Sequence, residues 1–229
     1  MTRALRILTL FLGLGTFGAA GQDAGDRHDG VLRSWLAAST HLTSFEAEFR
    51  QTRHLKALTE PLTSTGRVWF LAPDQFRWEI GNPPQSIALR SGETLVVLSP
   101  RLKRAETYSL SGATAGPAKD LMGLLDGAFP RSLEEWKRRF EVAGVSTNQG
   151  VLQLDLRPRS AAARKLMPTL IVGLDPASHG LRLTEMVMAD GSRIRSEFHS
   201  LKTNVPVSPD LFRAQLDGSW KTTRNEVHP

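Results

Sequence analysis

Polar side chains that could perform catalysis are present, but none falls in a pattern that catalysis requires. No serine stands in a Gly-x-Ser-x-Gly sequence, and there is no glycine-rich phosphate loop. The 229 residues include no cysteine and six histidines, and no two histidines have the spacing of paired metal ligands: His28, His41, His54, His179, His199 and His228. We therefore predict that the protein is not an enzyme and has no catalytic residues, no metal and no cofactor.

The residues that could bind a ligand are apolar and aromatic, and they alternate with charged residues. Residues 45–50 read FEAEFR, and residues 75–80 read QFRWEI. A period of two places Phe45 and Phe49 on one face of a strand, and Glu46 on the other. The carboxylates on the opposite, water-exposed faces, Glu46, Glu48 and Glu79, are expected to be solvated. The apolar faces could bury a hydrocarbon ligand.

The elements that must position these faces follow from hydrophobic period and turn residues. A helix is predicted at 31–42, where apolar residues recur at a spacing near 3.6, and shorter helices at 118–125 and 133–140. Asp190–Gly191 and Ser91–Gly92 predict hairpin turns. Strands are predicted at 44–50, 66–71, 75–80, 86–90, 94–98, 151–157, 168–174, 181–189 and 192–201.

This order of elements predicts an α+β fold that is mainly β. Consecutive hairpins in this number favour one large curved antiparallel sheet, an incomplete barrel or half-barrel. The short helices should cap the open side of the sheet and enclose an apolar cavity, because so large an apolar face is not left exposed to water.

The N-terminus has the three parts of a secretory signal peptide, predicted at residues 1–21. Arg3 and Arg6 precede an apolar stretch at 7–17, and cleavage is expected after Ala20 or Gly21. The stretch is short for a bilayer span of roughly 20 residues, so a membrane anchor is the less favoured alternative. Without a cysteine the chain cannot carry a lipid of its own or form disulfides. We expect a soluble periplasmic protein.

Composition limits the remaining classes of function. A mature chain of about 208 residues suits one domain, predicted at 28–216 and followed by a flexible tail at 217–229. Losing Arg3 and Arg6 lowers the net charge from +6 to +4. Because this mild excess forms no basic stripe, no nucleic-acid partner is expected. The positive net charge is compatible with transient contact with acidic lipid headgroups. We expect the protein to be a monomer.

Several motifs, in their order and spacing, resemble the outer-membrane lipoprotein carrier (LolA) family. The resemblance covers roughly residues 31–212 and is most specific in the first half. Ser91 stands where the family usually has Asp. The motifs are FEAEFRQ at 45–51, GRVWF at 66–70 followed by Pro73, FRWE at 76–79, SGETL at 91–95, NVPV at 204–207 and DLF at 210–212.

The resemblance implies a periplasmic carrier whose apolar cavity holds the acyl chains of lipoproteins. Its implied partners are acylated lipoproteins, an ATP-driven (ABC-type) releasing complex in the inner membrane and an acceptor at the outer membrane. Plain core packing is the alternative for each inward apolar position. The predicted cavity residues are Phe45, Phe49, Trp69, Phe76, Trp78, Leu95, Leu121, Met122, Leu124 and Leu125.

Two departures from the family pattern leave alternatives open. Ala72 replaces the arginine that in the family precedes Pro73 and helps to hold a lid closed, and the family's Pro-Pro-x-Gly is absent near Gln215–Gly218. The alternatives are a divergent carrier of another lipid or glycolipid, and a periplasmic lipid sensor of the same fold.

Overall fold

A computed structural model describes residues 30, 32–37, 39–110, 133–178 and 180–225. The helices in these ranges are α1 (helical at 30, 32–37 and 39–40), α2 (Leu133–Arg139) and α3 (Ala161–Leu166), and none of them is long and apolar enough to cross a membrane. Short 3₁₀ turns lie at Pro100–Leu102 and Pro209–Phe212. The strands are β1 (Ser44–His54), β2 (Leu62–Leu71), β3 (Gln75–Ile80), β4 (Ser86–Ser91), β5 (Thr94–Ser99), β6 (Arg104–Ser109), β7 (Phe140–Asn148), β8 (Val151–Pro158), β9 (Thr169–Leu174), β10 (Leu181–Val187), β11 (Arg193–Thr203) and β12 (Lys221–Asn225).

The twelve strands of the described residues form one open sheet. Their order is β12-β6-β5-β4-β3-β2-β1-β11-β10-β9-β8-β7, so β12 and β7 lie at opposite edges and do not pair with each other. Every pair is antiparallel except β12 with β6, which is parallel. The pairing of β1 with β11 joins the two halves of the chain. The predicted half-barrel, α+β and mainly β, is confirmed.

The register of β1 and β2 shows how the sequence pattern becomes a sided sheet. Phe45 lies opposite Phe70, Ala47 opposite Val68, and Phe49 opposite Gly66. Opposed residues of antiparallel strands share a face, so these side chains lie together on the face that we call the inner face. The other side of the sheet is called the outer face.

Helices cover the inner face of the sheet. Leu32, Trp35 and Leu36 of α1 are buried against it, as is Trp136 of α2. The rings of Trp35 and Trp136 meet edge to face, with 5.9 Å between their centroids. The apolar residues whose 3.6-residue spacing predicts α1 therefore form the stripe by which this helix contacts the sheet.

Four elements lie where the sequence pattern predicts none: β6, β7, α3 and β12. The polar sequences of β6 and β12 lack clear alternation, and their pairing supplies the backbone hydrogen bonds that define them. Lys221–Asn225 form β12, although the flexible tail was expected to include them. Ser160 begins α3 and accepts a hydrogen bond from the Ala163 N–H through its side chain.

The segment after β11 covers part of the outer face. Ala214 and Trp220 pack on a small apolar cluster that includes Ile87 and Leu98 of β4 and β5. Arg77 of β3 donates a hydrogen bond of 2.9 Å to the backbone oxygen of Leu211. This segment therefore covers the outer face of β4 and β5.

Gly66 is the position where the sheet tolerates a side chain least. A Cβ there would collide with the Glu79 backbone oxygen and with the ring of Phe49. We expect Gly66→Ala to lower the free energy of unfolding by about 1–3 kcal/mol, because neither neighbour can move away cheaply. Urea denaturation followed by circular dichroism measures this effect. Gly218→Ala is the control, since nothing lies within 4 Å of its added Cβ and an effect within about 0.5 kcal/mol is expected. Equal stability of the two variants would contradict the packing described.

Candidate functional site

The inner face carries a cluster of aromatic rings on four neighbouring strands. The ring of Phe49 lies 4.3 Å from that of Trp78 and 6.1 Å from that of Phe198, measured between centroids. Phe45 stacks on Phe70 at 5.5 Å. Strand alternation places each of them inward from β1, β2, β3 and β11. The cluster brings together five aromatic rings, those of Phe45, Phe49, Phe70, Trp78 and Phe198.

Aliphatic side chains extend this apolar surface across the second half of the sheet. They project from alternate positions of β8 and β9, and Met167 at the end of α3 packs with them. These side chains are at most 2 % exposed, so the interior is filled by the chain's own residues: Leu154, Leu156, Met167, Leu170, Val172 and Leu174. An incoming apolar ligand would have to replace some of these contacts.

Five of the predicted cavity residues lie on the inner face. Phe45, Phe49 and Trp78 belong to the large inner cluster just described. Phe76 and Leu95 lie in a smaller cluster with Leu110, further toward β6. Their common face agrees with the prediction, but whether they contact a ligand stays a prediction.

The prediction for Trp69 is corrected by the register of the strands. Trp69 lies opposite Glu46 on β1 and opposite Arg77 on β3, and all three are on the outer face. A hydrogen bond of 2.7 Å from the Lys202 ammonium lowers the pKa of the Glu46 carboxyl, and the neighbouring Trp69 side chain lowers it further. Neighbouring residues of a strand face opposite sides, so Phe70 takes the inward position.

Leu121, Met122, Leu124 and Leu125 lie outside the described residues, as does the predicted signal peptide at 1–21. Their part in the cavity stays a prediction.

Several inner-face residues were not predicted as part of the site. Phe198 follows the alternation of β11, and this period-two signal was available in the sequence. Trp35 and Trp136 lie on helices, and a helical stripe predicts burial without saying which sheet residues it will meet.

One polar pair interrupts the apolar inner face. Gln51 is buried and its side-chain amide donates a 3.2 Å hydrogen bond to the Ser196 hydroxyl. Arg53, two residues further along β1, has its Nε atom buried without a hydrogen-bond partner in the described part of the chain. Polar groups are thus gathered near one end of the inner face.

The arginines near the Ala72 position point away from the interior. Arg77 hydrogen-bonds to Glu79 and to the backbone oxygen of Leu211 on the outer face. Arg67 pairs with Glu48 on the same face, with 3.4 Å between their charged atoms. Neither arginine therefore reaches the inner face.

The described residues contain no group of three or more His, Asp or Glu side chains that could hold a metal ion. The chemistry that this arrangement supports is the burial of apolar groups.

Comparison with known proteins identifies the family. The model of the outer-membrane lipoprotein carrier family LolA matches residues 40–215, which is most of the chain. The chain belongs to this family. The LolA match includes both halves of the sheet, from the residues before β1 to those after the second 3₁₀ turn.

Individual LolA-family relatives are distant from this chain. An outer-membrane lipoprotein carrier protein of Coxiella burnetii is 27 % identical over 198 residues, covering 80 % of this chain and 85 % of its own. One from Xanthomonas campestris pv. campestris is 30 % identical over 199 residues, covering 80 % and 90 %. The crystal structure of an uncharacterized conserved protein from Thermus thermophilus shares the fold at 9 % identity, with a TM-score of 0.51, covering 87 % of this chain and 99 % of that protein.

The Gln51–Ser196 pair gives a test of the inner face of this LolA-family chain. We expect Ser196→Ala to destabilise the protein by about 1–3 kcal/mol, because it leaves the buried Gln51 amide without its acceptor. The double variant Gln51→Leu/Ser196→Ala should recover much of that loss, since no polar group then stays buried and unpaired. Thermal denaturation of both variants measures the difference. A double variant less stable than Ser196→Ala would show that the pair is not buried as described.

Proposed function

We propose that this LolA-family protein carries the acyl chains of lipoproteins through the periplasm, from the inner to the outer membrane. The supporting observation is the large apolar area of the inner face, on which Phe45, Phe49, Trp78 and Phe198 lie among aliphatic side chains and under helices. Membership of a carrier family supports the same role. In this proposal the protein is a chaperone and not an enzyme.

Export to the periplasm is part of the proposal. The basic and apolar N-terminus, with Arg3, Arg6 and the apolar stretch at 7–17, supports a cleaved signal peptide. The protein would then work between the two membranes without a lipid anchor of its own, because the chain contains no cysteine.

The physical need for a carrier follows from the cost of exposing acyl chains to water. Each buried methylene contributes about 0.8 kcal/mol, so the acyl chains of one lipoprotein together represent tens of kcal/mol. Such cargo leaves a bilayer only for another apolar environment. Hydrophobic contact is non-directional, so an interior of this kind accepts different lipoproteins without reading their sequences.

Release follows from the way in which the interior is filled. Phe49 and Leu154 are fully buried by the protein's own side chains. Cargo would replace such contacts, and the protein would regain them when the cargo leaves. The net affinity for cargo is therefore smaller than the buried apolar area alone predicts. A carrier of moderate affinity can deliver its cargo to an acceptor that binds more tightly.

The proposed partners are the two membrane systems at either end of this route. An ABC-type complex of the inner membrane would load the carrier, and an outer-membrane acceptor would unload it. Ala72, in place of the family's arginine, supports the second candidate, a divergent carrier of another lipid or glycolipid with a different way of holding its interior closed.

Uptake of a fluorescent acyl probe tests the inner face directly. We expect the delipidated protein to bind the probe and Trp78→Glu to abolish binding, because a carboxylate would then stand among the inner aromatic rings. Trp78→Leu should retain most binding. Trp69→Glu is the matched control, since Trp69 is a partly buried tryptophan on the neighbouring strand but faces outward. Circular dichroism confirms that each variant is folded.

Two outcomes of this experiment would contradict the proposal. One is a wild-type protein that takes up no probe, and the other is equal loss of binding in Trp69→Glu and Trp78→Glu. Mass spectrometry of lipids and acylated peptides that co-purify from the periplasm separates the two candidates. Acylated peptides support lipoprotein carriage, whereas a glycolipid alone supports the divergent carrier.

A further inference from the structure

The exposed large apolar side chains of the described residues gather at one end of the sheet. Antiparallel neighbours place the connections β1–β2, β3–β4, β5–β6, β8–β9 and β10–β11 at the same end. The first of these, with the start of β2, carries two exposed leucines, and the β5–β6 turn carries the most exposed one, at 67 %. A fourth lies at the end of α3, and a fifth precedes the turn before β12. In chain order the five are Leu58, Leu62, Leu102, Leu166 and Leu216.

Backbone contacts hold these connections side by side. The Lys56 N–H donates to the Ser192 hydroxyl at 3.1 Å, which joins the β1–β2 and β10–β11 connections. The Ala189 N–H donates to the Leu166 oxygen at 2.9 Å, which joins the latter to α3. The Lys221 N–H donates to the Lys103 oxygen at 2.8 Å and brings the last turn to the β5–β6 connection. The leucines therefore lie along one rim.

Basic side chains lie between the exposed leucines. The residues directly before β7 belong to this end too, because the Arg159 N–H donates to the Arg139 oxygen. The acidic residues of the same loops are Glu60, Asp190, which lies near Lys56, and Asp217, which lies near Lys103. Several basic side chains here form no ion pair with any described residue: Lys56, Arg101, Lys137, Arg138 and Lys165.

The opposite end of the sheet differs in both respects. Its connections carry Asp74, Glu93 and Asp175, with Arg182 beside the last. None of the large apolar residues exposed in the described part of the chain lies there. The molecule therefore has one end that is basic and apolar, and one that is more acidic.

We propose that this end, which we call the basic rim, docks on the surface of an anionic phospholipid bilayer. The basic rim consists of Lys56, Leu58, Leu62, Arg101, Leu102, Lys137, Arg138, Lys165, Leu166 and Leu216. Lysine and arginine side chains are drawn to acidic headgroups, and apolar side chains enter the boundary between headgroups and acyl chains.

A bilayer fits the basic rim better than a protein partner does. The leucines project singly from separate connections and do not form the contiguous apolar centre of a protein interface. Basic side chains without an ion pair lie in the same connections as Leu58, Leu102 and Leu166, which matches a surface whose negative charge is spread evenly. None of these leucines belongs to a buried apolar cluster of either face, so the docking surface does not depend on the proposed acyl-chain binding.

A single label tests the contact, because the chain has no cysteine to compete for it. Protein purified from the periplasm as Leu58→Cys carries a fluorophore that brightens in an apolar environment. Addition of phosphatidylglycerol vesicles should brighten and blue-shift it, and neutral phosphatidylcholine vesicles should do so far less. The control is Ala177→Cys, an exposed site at the opposite end, where no change is expected.

Charge variants test the electrostatic part of the contact. Lys56→Gln/Lys165→Gln should weaken binding to the anionic vesicles about 30-fold in sedimentation, since each basic residue near such a surface contributes roughly fivefold. Arg182→Glu, at the other end, changes the net charge by the same two units and should bind like wild type. Binding should also weaken at high salt.

Four results would overturn the proposal. They are equal binding to neutral and anionic vesicles, equal fluorescence change at both labelled positions, equal loss in the two charge variants, and absence of vesicle binding with capture of an acidic protein instead. Because the vesicle assay needs no acyl cargo, its failure is distinguishable from failure of the acyl-probe assay.

Discussion

The fold follows from the need to bury one large apolar face of the sheet. Strand alternation in β1, β2 and β3 puts Phe49 and Trp78 on one side of an open sheet that cannot close on itself. That face is too large to remain in water, so α1, α2 and α3 must lie against it. Gly66 meets the same constraint locally, since its missing side chain makes room for the ring of Phe49.

The polarity of the outer face differs from one part of the sheet to another. Around β10 and β11 it is polar, where Arg193 and Arg195 both pair with the buried carboxylate of Glu185. Over β4 and β5 it is apolar and is covered by the segment after β11, including Trp220. That segment then continues as β12 along β6, whose backbone would otherwise form an open edge.

The proposed functions use two separate regions of the molecule. Acyl binding would exchange the inner contacts of residues such as Trp78 for contacts with cargo, so its strength is limited by what the closed interior loses. Docking on a bilayer would use exposed leucines and basic side chains that the core does not need. Separation of the two lets the protein meet a membrane without opening its interior to it.

Which side chains share a face follows from the order of residues within each strand. The two-residue period fixes Phe45 with Phe49 and Phe76 with Trp78, and the family motifs at 45–51 and 66–70 follow that period. The sequence does not say which face of the sheet Trp69 occupies. Trp69 and its neighbour Phe70 face opposite sides, and the pairing of Trp69 with Glu46 shows that Phe70 is the inward residue.

What covers each face, and where the ends of the strands meet, depends on contacts between segments that are far apart in the chain. Trp35 meets Trp136 across about a hundred residues of chain, and β12 is a strand because β6 offers it an edge. The basic rim is likewise invisible in the sequence, where Lys56, Leu102 and Lys165 are far apart. Local patterns specify periodicity, whereas contacts between distant segments depend on how the whole apolar face is buried.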